Sequence, residues 1–215
     1  DFDLPEARVI LGRDGAPLDI QKVVQLESHR LIEEFMLLAN ETVAREAKTR
    51  QLPIPYRVHE PPSADRVEEL RRFLGILRYP LPGRKISGKD LQEVLRQVEG
   101  KPEEGLISTI ILRSMPRARY QPVDIGHFGL GAPTYTHFTS PIRRYPDLLV
   151  HRVITRALLD GEPVPPGWGG EALAAACEMA STRERMAADA QRDSVALKKV
   201  EFMERHLGDE LDGRI

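Results

Sequence analysis

Cysteine is nearly absent from the 215-residue chain: Cys177 stands alone, so no internal disulfide staples the fold. That usage fits a reducing compartment, and the expected localisation is cytoplasmic. Long apolar runs are missing too. None approaches the ~20 residues of a membrane span, and no signal-peptide pattern opens the chain, so no membrane partner is expected. An excess of one charge is also lacking, since 31 Lys and Arg face 33 Asp and Glu for a net charge of −2. This argues against a protein that coats nucleic acid by bulk electrostatics. The sequence contains no nucleophile elbow, phosphate loop or dinucleotide fingerprint. His127, His137 and His151, with Asp124 and Asp147, follow no compact zinc spacing, and no metal ligand is assigned within the chain. Asp147 and His151, four apart on a helix, read more simply as a hydrogen-bonded pair.

What is present is a full-sized core and a strongly uneven charge. A chain with 41% hydrophobic and 30% charged residues has the composition of a globular protein, not of a disordered one. Between Arg113 and Arg156, the positives Arg113, Arg117, Arg119, Arg143, Arg144, Arg152 and Arg156 face only Asp124 and Asp147, so that segment carries +5 and the remainder −7. A basic local surface within an acidic whole suits a groove for a nucleic-acid backbone.

The periodicities predict a mostly helical α+β protein with a few short strands. Ala7 to Leu11 and Leu18 to Val24 read as a hairpin around the turn-rich Gly12 to Pro17. From Leu26 to Arg45, Leu31, Ile32, Phe35, Leu38, Ala39 and Val43 recur at helical spacing, which predicts a largely buried helix. Glu33 and Glu34 on it point about 100° apart and read as surface residues. Ser63 to Leu77 and Ser87 to Val98 are serine-capped helices, the second closed by Gly100. Leu106 to Met115 is assigned to a buried helix, with a strand as the alternative. Arg117, Arg119 and Tyr120 form either a surface ion-pair cluster or contacts along a nucleic-acid backbone. Glu171 to Leu207 is one long helical pattern in which Leu173, Cys177, Ala180, Ala187, Val195 and Phe202 make a narrow seam, Cys177 as a small buried hydrophobe.

The densest stretch is His137 to Arg152, HFTSPIRRYPDLLVHR. Ser140 and Pro141 together signal a helix start, whose free N–H groups and dipole favour an anion. Pro146 breaks that turn before a second helix, which predicts a corner exposing Arg143 and Arg144. An arginine fork matches two phosphate oxygens at once, and Phe138 and Tyr145 flank the pair. The alternative is a solvated face paired with carboxylates.

This run resembles the signature of the catalytic domain shared by the ribonuclease II and ribonuclease R exoribonucleases. The likeness extends to Ile125-Gly126-His127-Phe128-Gly129-Leu130, to His29-Arg30-Leu31-Ile32-Glu33-Glu34-Phe35-Met36 and to Tyr56-Arg57-Val58-His59-Glu60-Pro61. The resemblance implies a 3′-to-5′ hydrolytic exoribonuclease acting on single-stranded RNA and releasing nucleoside monophosphates. In the family, two magnesium ions held by clustered aspartates activate the water. No such cluster occurs in this chain, so the Mg2+ ligands are expected upstream of it, in a missing N-terminal part of the same catalytic domain. Residues 1–205 then correspond to the C-terminal part of that domain, and residues 206–215 to the start of a following OB-type β-barrel that binds RNA. Arg143 matches the family's catalytic arginine. Tyr56, Ser140, Arg144, Tyr145 and Arg152 are the expected substrate-binding residues, with Tyr56 matching an aromatic that stacks on RNA near its 3′ end. By itself the chain is expected to hydrolyse nothing. A catalytically inactive RNA-binding relative and a helical scaffold without nucleic acid are the competing readings.

Overall fold

The computed structural model describes residues 7–83 and 86–210. They divide into two compact units, one formed by residues 28–181 and the other by residues 7–27 with 182–210.

In the smaller unit, β1 (Ala7–Leu11) and β2 (Pro17–Lys22) form the expected antiparallel hairpin, with Val9 opposite Ile20 and a register shift between Ile10 and Leu11. The C-terminal part of the long helix α6 (Gly170–Met203) belongs to this unit. There Lys198 donates to the Gly15 carbonyl at 3.0 Å and Arg205 to that of Pro17 at 3.1 Å, tying the helix to the hairpin turn. Asp189 and Arg192 pair on its solvated side. Residues 204–206 make a single 3-10 turn. Residues 211–215, the second half of the expected β-barrel start, lie outside the described residues.

The larger unit has two cores. The first joins α2 (Ala64–Ile76), α3 (Gly88–Val98) and α4 (Glu104–Ser114) through Leu70, Leu74, Leu91, Val94, Val98, Ile107 and Ile111. Each fully buried Leu or Ile stabilises the fold by about 1.5–3 kcal/mol. The helix starts follow the sequence: Ser63 accepts from Arg66 N–H, and Ser87 and Asp90 form a reciprocal capping box. Of the two readings of 106–115, the helix holds, because an 11-residue apolar segment buries Ile107 and Ile111 on one face against α2 and α3.

The second core lies under the candidate site. Ala44 and Ala47 of α1 (Glu27–Thr49), Ile54, Tyr56 and Val58 of β3 (Tyr56–Val58), and Val150 and Val153 of α5 (Tyr145–Ile154) pack into one cluster. β3 pairs antiparallel with β4 (Arg119–Gln121), Arg57 opposite Tyr120. Two small antiparallel sheets among helices make this an α+β fold.

One expectation fails here. Helix α1 forms, but it is not largely buried: Leu31, Ile32, Phe35 and Leu38 are 58%, 56%, 61% and 59% exposed, and only Asn40, Ala44 and Ala47 are buried. The apolar stripe is real, but its first four large residues are exposed and burial is confined to the second half of the helix. The seam of α6 is likewise shorter than its sequence suggests, with only Leu173, Cys177 and Ser181 buried. Cys177 behaves as a small hydrophobe, and burial pushes its thiol up to about 12. Among the described residues no helix is long and apolar enough to cross a membrane.

Candidate nucleic-acid interface

The site is built on the extended stretch 134–138, which runs beside β3. Arg57 N–H donates to the Tyr135 carbonyl at 2.9 Å, and the Thr136 hydroxyl donates to the Pro55 carbonyl at 2.6 Å. Thr136 is fully buried and Tyr135 nearly so. Buried Asn40 of α1 clamps this stretch from below. Its amide donates to the Tyr135 hydroxyl at 2.9 Å, and its carbonyl accepts from Phe138 N–H at 2.9 Å. Buried polar groups of this kind specify position because each is costly to leave unpaired.

Histidines line the same region. His137 Nδ1 lies 2.7 Å from the Tyr120 hydroxyl, and burial, with the fields of Arg144 and Arg57, pulls its pKa down to about 3. His127 packs 5.1 Å from the ring of His59 and 5.5 Å from that of Tyr135. Burial first, then the neighbouring His59, lowers its pKa to about 4. Both rings are therefore neutral near pH 7, which suits wedges in an aromatic cluster rather than cations for RNA. The tight turn above them needs glycine: Gly126 has φ of 79°, and a Cβ on Gly129 would approach His59 Nδ1 to 2.9 Å.

The corner follows. Pro141 to Arg143 make one turn closed by Arg143 N–H and Arg144 N–H to the Ser140 carbonyl, and α5 begins at Tyr145 with Pro146 in its first turn. The break before α5 is as predicted, but no helix starts at Ser140: residues 141–143 make a single turn, with the Arg143 and Arg144 N–H groups taken by the Ser140 carbonyl. Pro146 supplies no N–H, and fully buried Asp147 turns its own carboxylate back into the corner. Asp147 Oδ1 accepts from Ser140 N–H at 2.8 Å and from Arg144 Nη2 at 2.8 Å. Asp147 therefore does not pair with His151. Nε2 of His151 instead lies 2.8 Å from the Phe138 carbonyl, and its ring stacks on Phe138 with centroids 4.1 Å apart. The carboxylate prefers the corner because its two donors there include a charged one.

The residues proposed from sequence thus separate. Arg143 is exposed, and among the described residues its guanidinium meets no hydrogen-bond or ion-pair partner. Arg144 is not displayed to solvent as expected, because its side chain is only 26% exposed and is committed to Asp147. Ser140 contributes its backbone and caps nothing with its hydroxyl. Tyr145 is 44% exposed. Arg152 is exposed two turns along α5. Tyr56 is corrected outright: its ring is 6% exposed, in the cluster beneath α5, so it offers no face to a base. Its neighbours Ile54 and Pro55 are buried with it, so the proline-rich run from Pro53 to Pro62 is at that point a packed connector. Arg119 takes the plainer of its two readings, pairing with Glu60 at 2.8 Å. Asn40 and Tyr135 do not stand out in the sequence, and Tyr120, expected at the surface, is buried against His137. Asn40 carries only the signal of a polar residue inside an apolar helical stripe.

No three His, Cys, Asp or Glu side chains converge as a metal site among the described residues. The two acids of the basic segment are already engaged, Asp147 at the corner and Asp124 with Lys48 at 2.7 Å. Among the described residues, the side chains of this region therefore do not fit a pair of magnesium ions.

Comparison with known proteins supplies the context. The family model described as the RNB domain matches residues 1–160. Ribonuclease R 1 of Lactococcus lactis is 45% identical over 222 residues, covering 100% of this chain and 27% of that protein. The chain thus spans less than a third of the curated relatives it matches, 30% for ribonuclease R of Aquifex aeolicus. Among solved structures, RNase R of Mycoplasma genitalium in complex with double-stranded RNA superposes with a TM-score of 0.90 at 25% identity, covering 97% of this chain and 38% of that one. The yeast pseudonuclease Ssd1 superposes with a TM-score of 0.64 at 28% identity, over 71% of this chain and 19% of that one.

Proposed function

The chain belongs to the RNB-domain family, and from that premise we propose that it is part of a 3′-to-5′ hydrolytic exoribonuclease, in which Arg143 holds the scissile phosphate of single-stranded RNA. Water attacks phosphorus, the 3′-bridging oxygen leaves with a proton, and a nucleoside 5′-monophosphate is released. The observation that carries this reading is the contrast within one dipeptide. Arg144 is spent on buried Asp147, whereas Arg143, fixed one residue away by the same turn, presents a full set of donors to solvent. A guanidinium so placed neutralises charge that develops on the phosphate, worth orders of magnitude in rate. Arg144 and Ser140 position the corner, and Tyr145 and Arg152 contact the strand.

In this proposal Mg2+ belongs to residues outside the chain, and no step here is routed through it. The domain division at residues 205 and 206, with an OB-type RNA-binding module following, is part of the same proposal. The chain alone is then inactive.

A second reading is a catalytically inactive RNA-binding relative, because a pseudonuclease shares this fold. One experiment decides between them. The full-length protein carrying this chain is assayed for stepwise shortening of 5′-labelled RNA, beside its Arg143→Ala variant. Our reading expects the parent to shorten the RNA and the variant to bind it with most of its affinity while turnover falls at least a hundredfold. A parent that binds without cleaving supports the inactive relative. Near-normal cleavage by Arg143→Ala overturns the role of Arg143.

A further inference from the structure

Beyond the corner, α5 does not end cleanly. It continues into a π-helical turn, Thr155–Leu159, a wide geometry that recurs at functional sites. Opposite it stands a 3-10 turn, Pro166–Trp168. Together they border an open surface depression of about 300 Å3 lined by His151, Arg152, Thr155, Arg156, Asp160 and Trp168. That volume lies at the lower end of the range of small-ligand sites, about 300–1,000 Å3.

The chemistry of the lining is specific. Trp168, the chain's sole tryptophan, is 38% exposed and offers an aromatic face. Arg156 is held in place, its Nε donating to the Pro163 carbonyl at 2.8 Å and its Nη2 pairing with Glu162 at 2.8 Å. Arg152 is exposed, and its guanidinium has no hydrogen-bond or ion-pair partner among the described residues. His151 is anchored on Phe138, so the wall of the depression is continuous with the buried network of the corner.

We propose that this depression is a second RNA subsite, which takes one nucleotide of a single strand, stacking its base on Trp168 and binding its phosphate through Arg152. This rests on the reading of the chain as part of an RNA-binding enzyme, but it concerns a place distinct from the scissile phosphate. A flat aromatic face binds any base, and one unpaired arginine suits one phosphate. Asp160 and Glu162 beside the arginines leave acceptors for base amines or ribose hydroxyls, which an acidic peptide side chain does not supply.

The test uses the full-length protein and a single-stranded oligoadenylate long enough to reach beyond the corner. Emission from Trp168 is isolated as the difference between the parent and Trp168→Phe. The expected result is quenching of that difference signal on titration with RNA. Trp168→Ala and Arg152→Ala should each weaken binding about tenfold, and Trp168→Phe, which keeps a stacking face, should weaken it much less. RNA binding by the parent with a silent Trp168 and unchanged affinity in both alanine variants would overturn the subsite alone. Failure of the parent to bind RNA at all would overturn the RNA reading with it. Quenching by adenosine monophosphate as tight as by the oligonucleotide would replace the strand with a free nucleotide. Quenching by polyglutamate and not by RNA would replace it with an acidic peptide.

Discussion

The stretch 134–147 and the first half of α1 break the usual pattern in opposite ways. In the former, Thr136 and Asp147 are completely buried and Asn40 is brought in beneath them, so polar side chains occupy the interior. In the latter, Leu31, Ile32, Phe35 and Leu38 stand in solvent. Thr136, Asn40 and one oxygen of Asp147 have named partners at hydrogen-bond distance, whereas Thr134 Oγ1, Arg144 Nε and Asp147 Oδ2 are buried without one among the described residues, and the partnered groups act as fixed points from which Arg143 is displayed. Leu31, Ile32, Phe35 and Leu38 are each more than half exposed, so this part of the stripe contributes little to the unit's stability. Burial thus ranks residues by their part in the corner better than side-chain polarity does.

Substitutions should break the comparison in graded steps. Asp147→Ala removes the carboxylate that joins Ser140 N–H to Arg144 and leaves a half-buried guanidinium without its counter-charge. It should cost about 3 kcal/mol, read by chemical denaturation. Asn40→Ala leaves the Tyr135 hydroxyl and Phe138 N–H without their partner. About 1–3 kcal/mol should be lost in the same experiment.

Acid probes the histidine cluster. His127 and His137 have folded-state pKa values lowered to about 4 and about 3, against about 6.5 when unfolded. Between these values the unfolded chain binds more protons, so their contribution is complete above pH 6.5 and is lost as pH falls toward 3. The thermal midpoint should decline through that window, and His137→Gln should flatten the decline. Phe35→Ser should have the smallest effect, within about 0.5 kcal/mol in this chain, since the ring is already in water. A large loss there would mean that the stripe is covered in solution.

Much of this was legible in the sequence because the signals were local. The serine caps at Ser63 and Ser87, the hairpin turn and the proline break at Pro146 depend on residues within one turn of each other, and these appear where their chemistry puts them, whereas the cap expected at Ser140 does not form. The misreadings share a cause, which is that each required knowing what lies across space. Periodicity finds the stripe of α1 but not whether anything packs on it. The motif around Tyr56 marks an aromatic but not that Ile54 and Pro55 carry it into the core. Asp147 and His151 have helical spacing, yet each finds a better partner in the preceding loop. Adjacent Arg143 and Arg144 look equivalent in sequence, and only the buried carboxylate separates them.

That separation is tested most directly by measuring two quantities, RNA turnover and thermal midpoint, on Arg143→Ala and Arg144→Ala of the full-length protein. The account predicts that Arg143→Ala unfolds at the parent's temperature but loses turnover at least a hundredfold, whereas Arg144→Ala lowers the midpoint by several degrees because it strands buried Asp147. The reverse pattern, with Arg143 needed for stability and Arg144 for turnover alone, would contradict it.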